Sequence, residues 1–497
     1  MSRLCLTIFL LSIAGCAVGP DFEPPPPPDV SGYTAQPLPQ QTSSADVRGG
    51  DAQRFLQDLD IPGQWWTLFH SEALTRLVEE AIAHNPSLPA AEAALRQAWE
   101  NVYAEQGAFF PIATVSFSPS RNKTATGAVS PASATGKPWF TLYTAQLAVS
   151  YTPDVFGGTR RQVESLEATA ENQRFELEAA YLTVTSNVIA AVVQEASLRG
   201  QIAATEEIIR IETESLDILH KQLQFGQVAE ADVAAVEATL AQAEATLPPL
   251  QKQLAVQRDL LTALIGRFPS QEPSEKFELA SIHLPQELPV SLPSKLIAQR
   301  PDVLAAEAQL HAASASIGVA VAAILPSFTL TPSAGVASNQ INRLFDTPGT
   351  AFWTLIGTVT QTVFDAGTLL HRKRAADAAF DQAAEMYRST VIAALQNVAD
   401  SLHTVISDAD TLKATYAAER AAFKSLEITR MQLQLGAIGY LGLLQAENTY
   451  DTALLALVQA QAARYADAAA LFQALGGGWW NRTDVPPHKN WDIEFIP

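Results

Sequence analysis

The chain has 497 residues and a formal net charge of −20, with 52 acidic side chains against 32 basic ones. That balance excludes nucleic acid as a partner, because phosphate binding needs clustered cations. The two cysteines, Cys5 and Cys16, exclude a disulfide framework, so a chain this long must be held by its core or by association.

Arg3 precedes an apolar stretch from Leu4 to Ala14, too short to span a bilayer but suited to an export signal. The stretch ends in Ile13-Ala14-Gly15-Cys16, the aliphatic, small, small, cysteine order of a bacterial lipobox. Residues 1–15 therefore read as a lipoprotein signal peptide, with Cys16 acylated as the first residue of the mature chain. Two acyl chains anchor stably where one is marginal. Ala17 follows, and it is not the aspartate of an inner-membrane retention signal. Residues 16–62, with the run "DFEPPPPPDV" (21–30), read as a lipid-anchored, proline-rich tether of extended character. Ordered structure is expected from near "WWTLF" (65–69).

From there the chain is written twice. "NPSLPAAEAAL" (85–95) returns as "RPDVLAAEAQL" (300–310), and "FPIATVSFSPS" (110–120) as "LPSFTLTPSAG" (325–335). "DVFGGTRRQ" (154–162) returns as "FDAGTLLHRKR" (364–374), and "KQLQFGQVAEADVAAVEATL" (221–240) as "RMQLQLGAIGYLGLLQAENTY" (430–450). Repeat 1 is placed at 63–270 and repeat 2 at 294–477, with a linker at 271–293 and a tail at 478–497. Each repeat is expected to run helices, two strands, then a long helical hairpin.

After Gly158 no proline occurs before Leu247, and Ala, Leu, Glu and Gln, all good helix formers, dominate. A helix from Thr159 to Phe225 would be about 100 Å long at ~1.5 Å per residue. No single core buries such a helix, so these helices must pack side by side in a coiled coil or a helical barrel. The only predicted breaks are around Gly226 and around Gly436 and Gly439. The acidic residues on these helices follow the periodicity of solvated faces.

The strands point to lipid. In "IATVSFS" (112–118) Val115 and Phe117 share one face, and Thr114 and Ser116 the other. In "WFTLYTAQLAVSY" (139–151) Trp139, Tyr143, Leu147 and Val149 oppose Thr144, Gln146 and Ser150. This is the alternation of a barrel strand with an apolar exterior and a polar lumen. A polar loop at 119–137 joins them. The second copy gives 327–336 and 351–364, with weaker alternation and Pro332 awkward in a paired strand. On pattern alone a soluble sandwich stays open. Beyond the signal no run of 18 uninterrupted apolar residues occurs, so a membrane crossing would have to be a barrel. Four strands cannot close one, and open edges are not tolerated in lipid. Several chains must therefore share it, and the residues do not choose between two, three or four.

The eight histidines, His220, His311 and His371 among them, show no HExxH or paired Cys/His spacing, and "GGGWW" (476–480) is neither a P-loop nor a dinucleotide fingerprint. No metal, cofactor or catalysis is expected.

"WWTLFHSEALTRLVEEAIAHNPSLPAAEAALRQA" (65–98), "RPDVLAAEAQLHAASASIGVAVAAILPSFTL" (300–330) and the glycine-marked hairpins resemble the outer membrane factor family. These are the TolC-like exit ducts, and the lipobox points to the NodT or OprM-like lipoprotein branch. The resemblance implies a mainly helical fold with a membrane β-barrel. A homotrimer would share twelve strands, continued by a helical barrel into the periplasm. It further implies an outer-membrane location and docking to a periplasmic adaptor and an inner-membrane pump, often of the proton-driven RND class. By the same resemblance the hairpins at Gly226, Gln227, Gly436 and Gly439 form the adaptor-facing tips, and Asp232, Leu441 and Gln445 line the periplasmic aperture. Asp232 matches an acidic position that ties the closed gate, and Leu441 an apolar constriction. Gln445 and Gly442 stand where relatives place aspartates, so an acidic ring is missing there. The competing function is a lipid-anchored periplasmic coiled-coil scaffold or adhesin without a channel.

Overall fold

The structure, a computed structural model, describes residues 17–57, 59–123 and 139–483; Cys16 lies outside them. A short strand β1 (Arg54–Gln57) precedes the first repeat, which holds helices α1 (Glu72–His84) and α2 (Ser87–Gln106) and strands β2 (Ile112–Lys123) and β3 (Trp139–Ser150). Helices α3 (Gly158–Gln224) and α4 (Glu230–Leu264) complete it. After a short strand β4 (Glu287–Val290) the second repeat follows as α5 (Pro293–Ile297), α6 (Pro301–Ala322), β5 (Ser327–Ser338), β6 (Ala351–Thr360), α7 (Thr368–Gln434) and α8 (Tyr440–Ala474). The duplication is close: α3 and α7 each have 67 residues, and α4 and α8 each have 35.

Each long helix carries two partners in succession. Over their first halves α3 and α7 lie in the order α2, α3, α6, α7, and beyond the middle in the order α4, α3, α8, α7. The two tiers meet at a belt where Trp65, Trp66 and Phe69 bury themselves against α1, Val188 to Ala196 of α3 and Tyr465 to Leu475 of α8. One stretch of α3 is long and apolar enough to cross a membrane, but 61% of it is buried inside the chain. Helix α4 continues through Pro248 and Pro249 to Leu264.

The four long strands form one antiparallel sheet in the order β2-β3-β5-β6. Register places Val115 opposite Leu147, Leu147 opposite Ala334, and Ala334 opposite Trp353. One face is therefore apolar across all four strands, and its large side chains are exposed, Val115 at 84% and Trp353 at 79%. Ser116, Gln146, Thr329 and Thr358 share the opposite face, with Ile356 among its apolar exceptions. The second copy is thus as one-sided as the first. Strand β2 reaches Lys123, into the segment read as loop, and β6 ends at Thr360 rather than at 364. Residues 124–137 of that loop lie outside the described residues. Pro332 sits on the apolar face opposite Leu355, and toward β3 the ladder lapses beside it, between Ala148↔Ser333 and the bridge Tyr151↔Leu330. Lacking an N–H, it cannot donate there.

The N-terminal segment is not a free tether. Val18 donates its N–H to Phe156 O at 3.0 Å, and buried Arg161 of α3 donates to Val18 O at 3.1 Å and to Asp21 Oδ1 at 2.6 Å. Phe22 stacks on His311 at 4.4 Å. Farther along, β1 pairs in parallel with β4, inside the stretch read as a linker. Gln53 accepts a 2.6 Å bond from buried Arg464 of α8. A proline-rich composition hides this, because the partners are cations far away in the chain.

Gly318 is where the segment touches α6. A Cβ there would stand 2.7 Å from both Arg161 Cγ and Val18 O. Gly318→Val is expected to lift residues 17–22, read as faster limited proteolysis at that segment with the helix signal unchanged.

Candidate functional site

Helix α3 leaves the sheet just after β3 and runs about 100 Å at ~1.5 Å per residue before it reverses. The two hairpin tips therefore lie at the end of the molecule farthest from the apolar sheet face. Both close by the same device. Gly226 (φ 66°) and Gly436 (φ 69°) occupy the left-handed region. The N–H of Gln227 returns to Gln222 O at 2.9 Å, and that of Ala437 to Gln432 O at 2.9 Å. A side chain at either glycine would be strained, which is why these helices stop there. Gly439 differs: at φ −82° it is the extended N-cap of α8, a conformation open to any residue. Gly226, Gln227, Gly436 and Gly439 are all exposed. So are Phe225 and Leu435, the equivalent residues just before each turn, at 78% and 79%.

The two tips pack on each other through Leu219, Val233 and Val236 of the first hairpin and Leu426, Tyr440, Leu443 and Leu444 of the second. Asp232 accepts the Ala229 N–H at 3.2 Å, capping its own helix α4. Leu441, 71% exposed, and Gln445 lie one turn apart on the open face of α8. Tyr440, Leu444 and Glu447 occupy the buried face of the same helix.

Behind that face lies a feature that the solvated-face reading of the acidic residues missed. Glu212 of α3 is 1% exposed and Glu447 of α8 2%. Neither oxygen of Glu212 has a hydrogen-bond partner. Arg430 of α7 reaches Glu447 Oε1 at 3.4 Å. Burial pushes the Glu212 carboxyl up to about 7, and the charges of Glu447 and Asp451 add to the effect. Burial likewise holds Asp451 at about 7, with Glu447 adding to it. The signal was in the sequence: Glu212 falls in the stripe Ile208, Glu212, Leu216, Leu219, at core spacing.

An apolar sheet face at one end, long helices, and two glycine-closed hairpins at the far end define a membrane-anchored helical duct. The family model for outer membrane efflux protein matches residues 77–267 and 292–477. The chain belongs to that family and is an outer-membrane efflux channel of TolC-like fold. Among its relatives is the pyoverdine export outer membrane protein OpmQ of Pseudomonas putida. It is 27% identical over 484 residues, covering 96% of this chain and 97% of that one. The probable outer membrane lipoprotein SilC of Salmonella typhimurium is 27% identical over 481 residues, 95% of this chain and 97% of that one. The open-state outer membrane channel MtrE of Neisseria gonorrhoeae superposes with a TM-score of 0.80 at 26% identity, over 94% of this chain and all of that one.

Proposed function

We propose that three copies of this chain close one outer-membrane barrel and one periplasmic tube. That tube passively conducts substrates handed over by an inner-membrane pump, of the RND class, through a periplasmic adaptor docked at the tips. The observation that carries the reading is the order of elements. Among the described residues β2 and β6 are the unpaired edges of the sheet, and α2 or α4 and α7 are the outer helices of the two tiers. Edge β6 of one copy thus faces β2 of the next on the same side that α7 faces α2 and α4, a heterologous contact that closes a ring. Val256 and Leu260 of α4 and Met386 and Ile392 of α7 are exposed in the single chain and suit burial in that contact.

Acylation of Cys16 is supported by its lipobox, Ile13-Ala14-Gly15-Cys16, and by Ala17, the next residue, lying at the junction of sheet and helix. A Cβ on Gly157, at the junction of sheet and helix, would stand 2.5 Å from Ala17 Cα. Mass spectrometry of the mature N-terminus is expected to show acylated Cys16, and unmodified Cys16 contradicts it.

At the far end Leu441 and Gln445, repeated by the symmetry, narrow the aperture, with Phe225 and Leu435 as apolar contacts for the adaptor. Because Gln445 is neutral, the resting barrier is steric and apolar. In planar bilayers Leu441→Ser is expected to raise the resting conductance. Gln445→Asp is expected to increase cation selectivity and divalent block. If neither substitution changes conductance or selectivity, the constriction lies elsewhere.

A further inference from the structure

We propose that Glu212, Glu447 and Asp451 form a proton-operated catch between α3 and α8, which holds the aperture narrow when protonated and releases it as protons leave. It rests on the reading of this end as the aperture. Helix α8 links the two, because Leu441 and Gln445 lie on its open face and the carboxylates on its opposite face. A displacement of α8 away from α3 therefore moves the constriction directly.

The groups acting on Glu212 come from two neighbouring helices. From α8 come Glu447 and Asp451, and from α7 comes Arg430. Tyr440 of α8 stands by the same set, its hydroxyl toward Ser215 of α3. Near Asp451, Tyr450 also feels Glu419 of α7 and Glu207 of α3. Three carboxylates thus share one guanidinium, which contacts Glu447. Ionising all three leaves a charge excess in an apolar setting, with Leu219 and Leu444 close by. An ionised carboxylate without partners is not tolerated in such a place and must take a proton or reach water. Glu212, buried with neither oxygen partnered, meets that demand by taking a proton.

The sign follows. A carboxyl raised by packing costs the packed state nothing below the ordinary value of 4.5, and weakens it as pH rises toward about 7. High pH therefore favours the splayed tips.

The test is the conductance of the full-length protein in planar bilayers from pH 5 to pH 8 at constant ionic strength. Wild type is expected to conduct more as pH rises. Each unit by which packing raises the pKa is worth about tenfold in the closed-to-open ratio. Glu212→Gln, neutral at every pH and nearly the same shape, is expected to flatten the rise, leaving only the part that Asp451 and Glu447 contribute. It should also raise the unfolding midpoint, by more at pH 8 than at pH 5. A Glu212→Gln profile that matches wild type, or a wild-type conductance that falls with pH, overturns the catch. Leu441→Ser separates the two readings. If it raises conductance while Glu212→Gln changes nothing, the catch alone fails. If neither substitution acts, the aperture assignment fails with it.

Discussion

Leu147→Arg is expected to block assembly in the outer membrane, while Thr144→Arg on the same strand is tolerated. Leu147 is 48% exposed on the apolar face of β3, paired with Val115 on one side and Ala334 on the other. Thr144 pairs with Ser118 and Ala337 on the opposite face. An arginine facing the bilayer midplane costs about 2–4 kcal/mol, and the proposed trimer would repeat that cost in every copy. An arginine in a water-filled lumen costs little and alters selectivity instead. Membrane fractionation with heat-modifiability on gels reads the first variant, and bilayer conductance the second. Equal behaviour of the two variants means that the sheet does not divide lipid from water.

The second large effect is expected from Arg258→Ala. Arg258 of α4 donates to Glu195 Oε1 of α3 at 2.7 Å, to the Glu275 carbonyl at 3.0 Å, and to Glu272 and the Pro273 carbonyl. The Glu195 side chain is fully buried, and Arg199 is its other partner, at 2.7 Å. Removing Arg258 leaves a buried carboxylate with half its compensation and frees the segment after α4. Breaking a buried pair in this way costs about 3–5 kcal/mol, with Arg199 keeping the loss toward the lower end. The checks are the thermal unfolding midpoint in detergent and the rate of proteolysis within 271–290. Glu195→Gln in the Arg258→Ala background is expected to recover part of the loss. An unchanged midpoint in Arg258→Ala means that α4 and α3 are held by packing alone.

How much of this was legible depends on the kind of interaction. The strands were readable because the pleat forces period two, and Val115, Phe117, Leu147 and Val149 obey it. The long helices were readable because good formers dominate after Gly158 and after Gly367, with turns marked at Gly226, Gly436 and Gly439. The glycines at 226 and 436 were readable as turns since only they sit comfortably at positive φ. Contacts between distant parts were not readable. The N-terminal segment has no periodicity, and it is placed by Arg161 and Arg464, whose partners only the fold brings near. Nor could the sequence show that α4 passes through Pro248 and Pro249, which it does while packed along α3. Glu212 and Glu447 were read with the other acidic residues as lying on solvated faces, whereas the structure buries both. Leu441 and Gln445 were assigned to an aperture by resemblance alone; in the single chain both are exposed on α8.

The most direct measurement is the mass of the protein extracted in mild detergent, by native mass spectrometry or light scattering, together with its circular dichroism. A shared barrel predicts a single species of three chains with both strand and strong helix signals. It also predicts that dissociation removes the strand signal, because β2 and β6 lose their partners. A stable monomer that keeps its full strand content contradicts it.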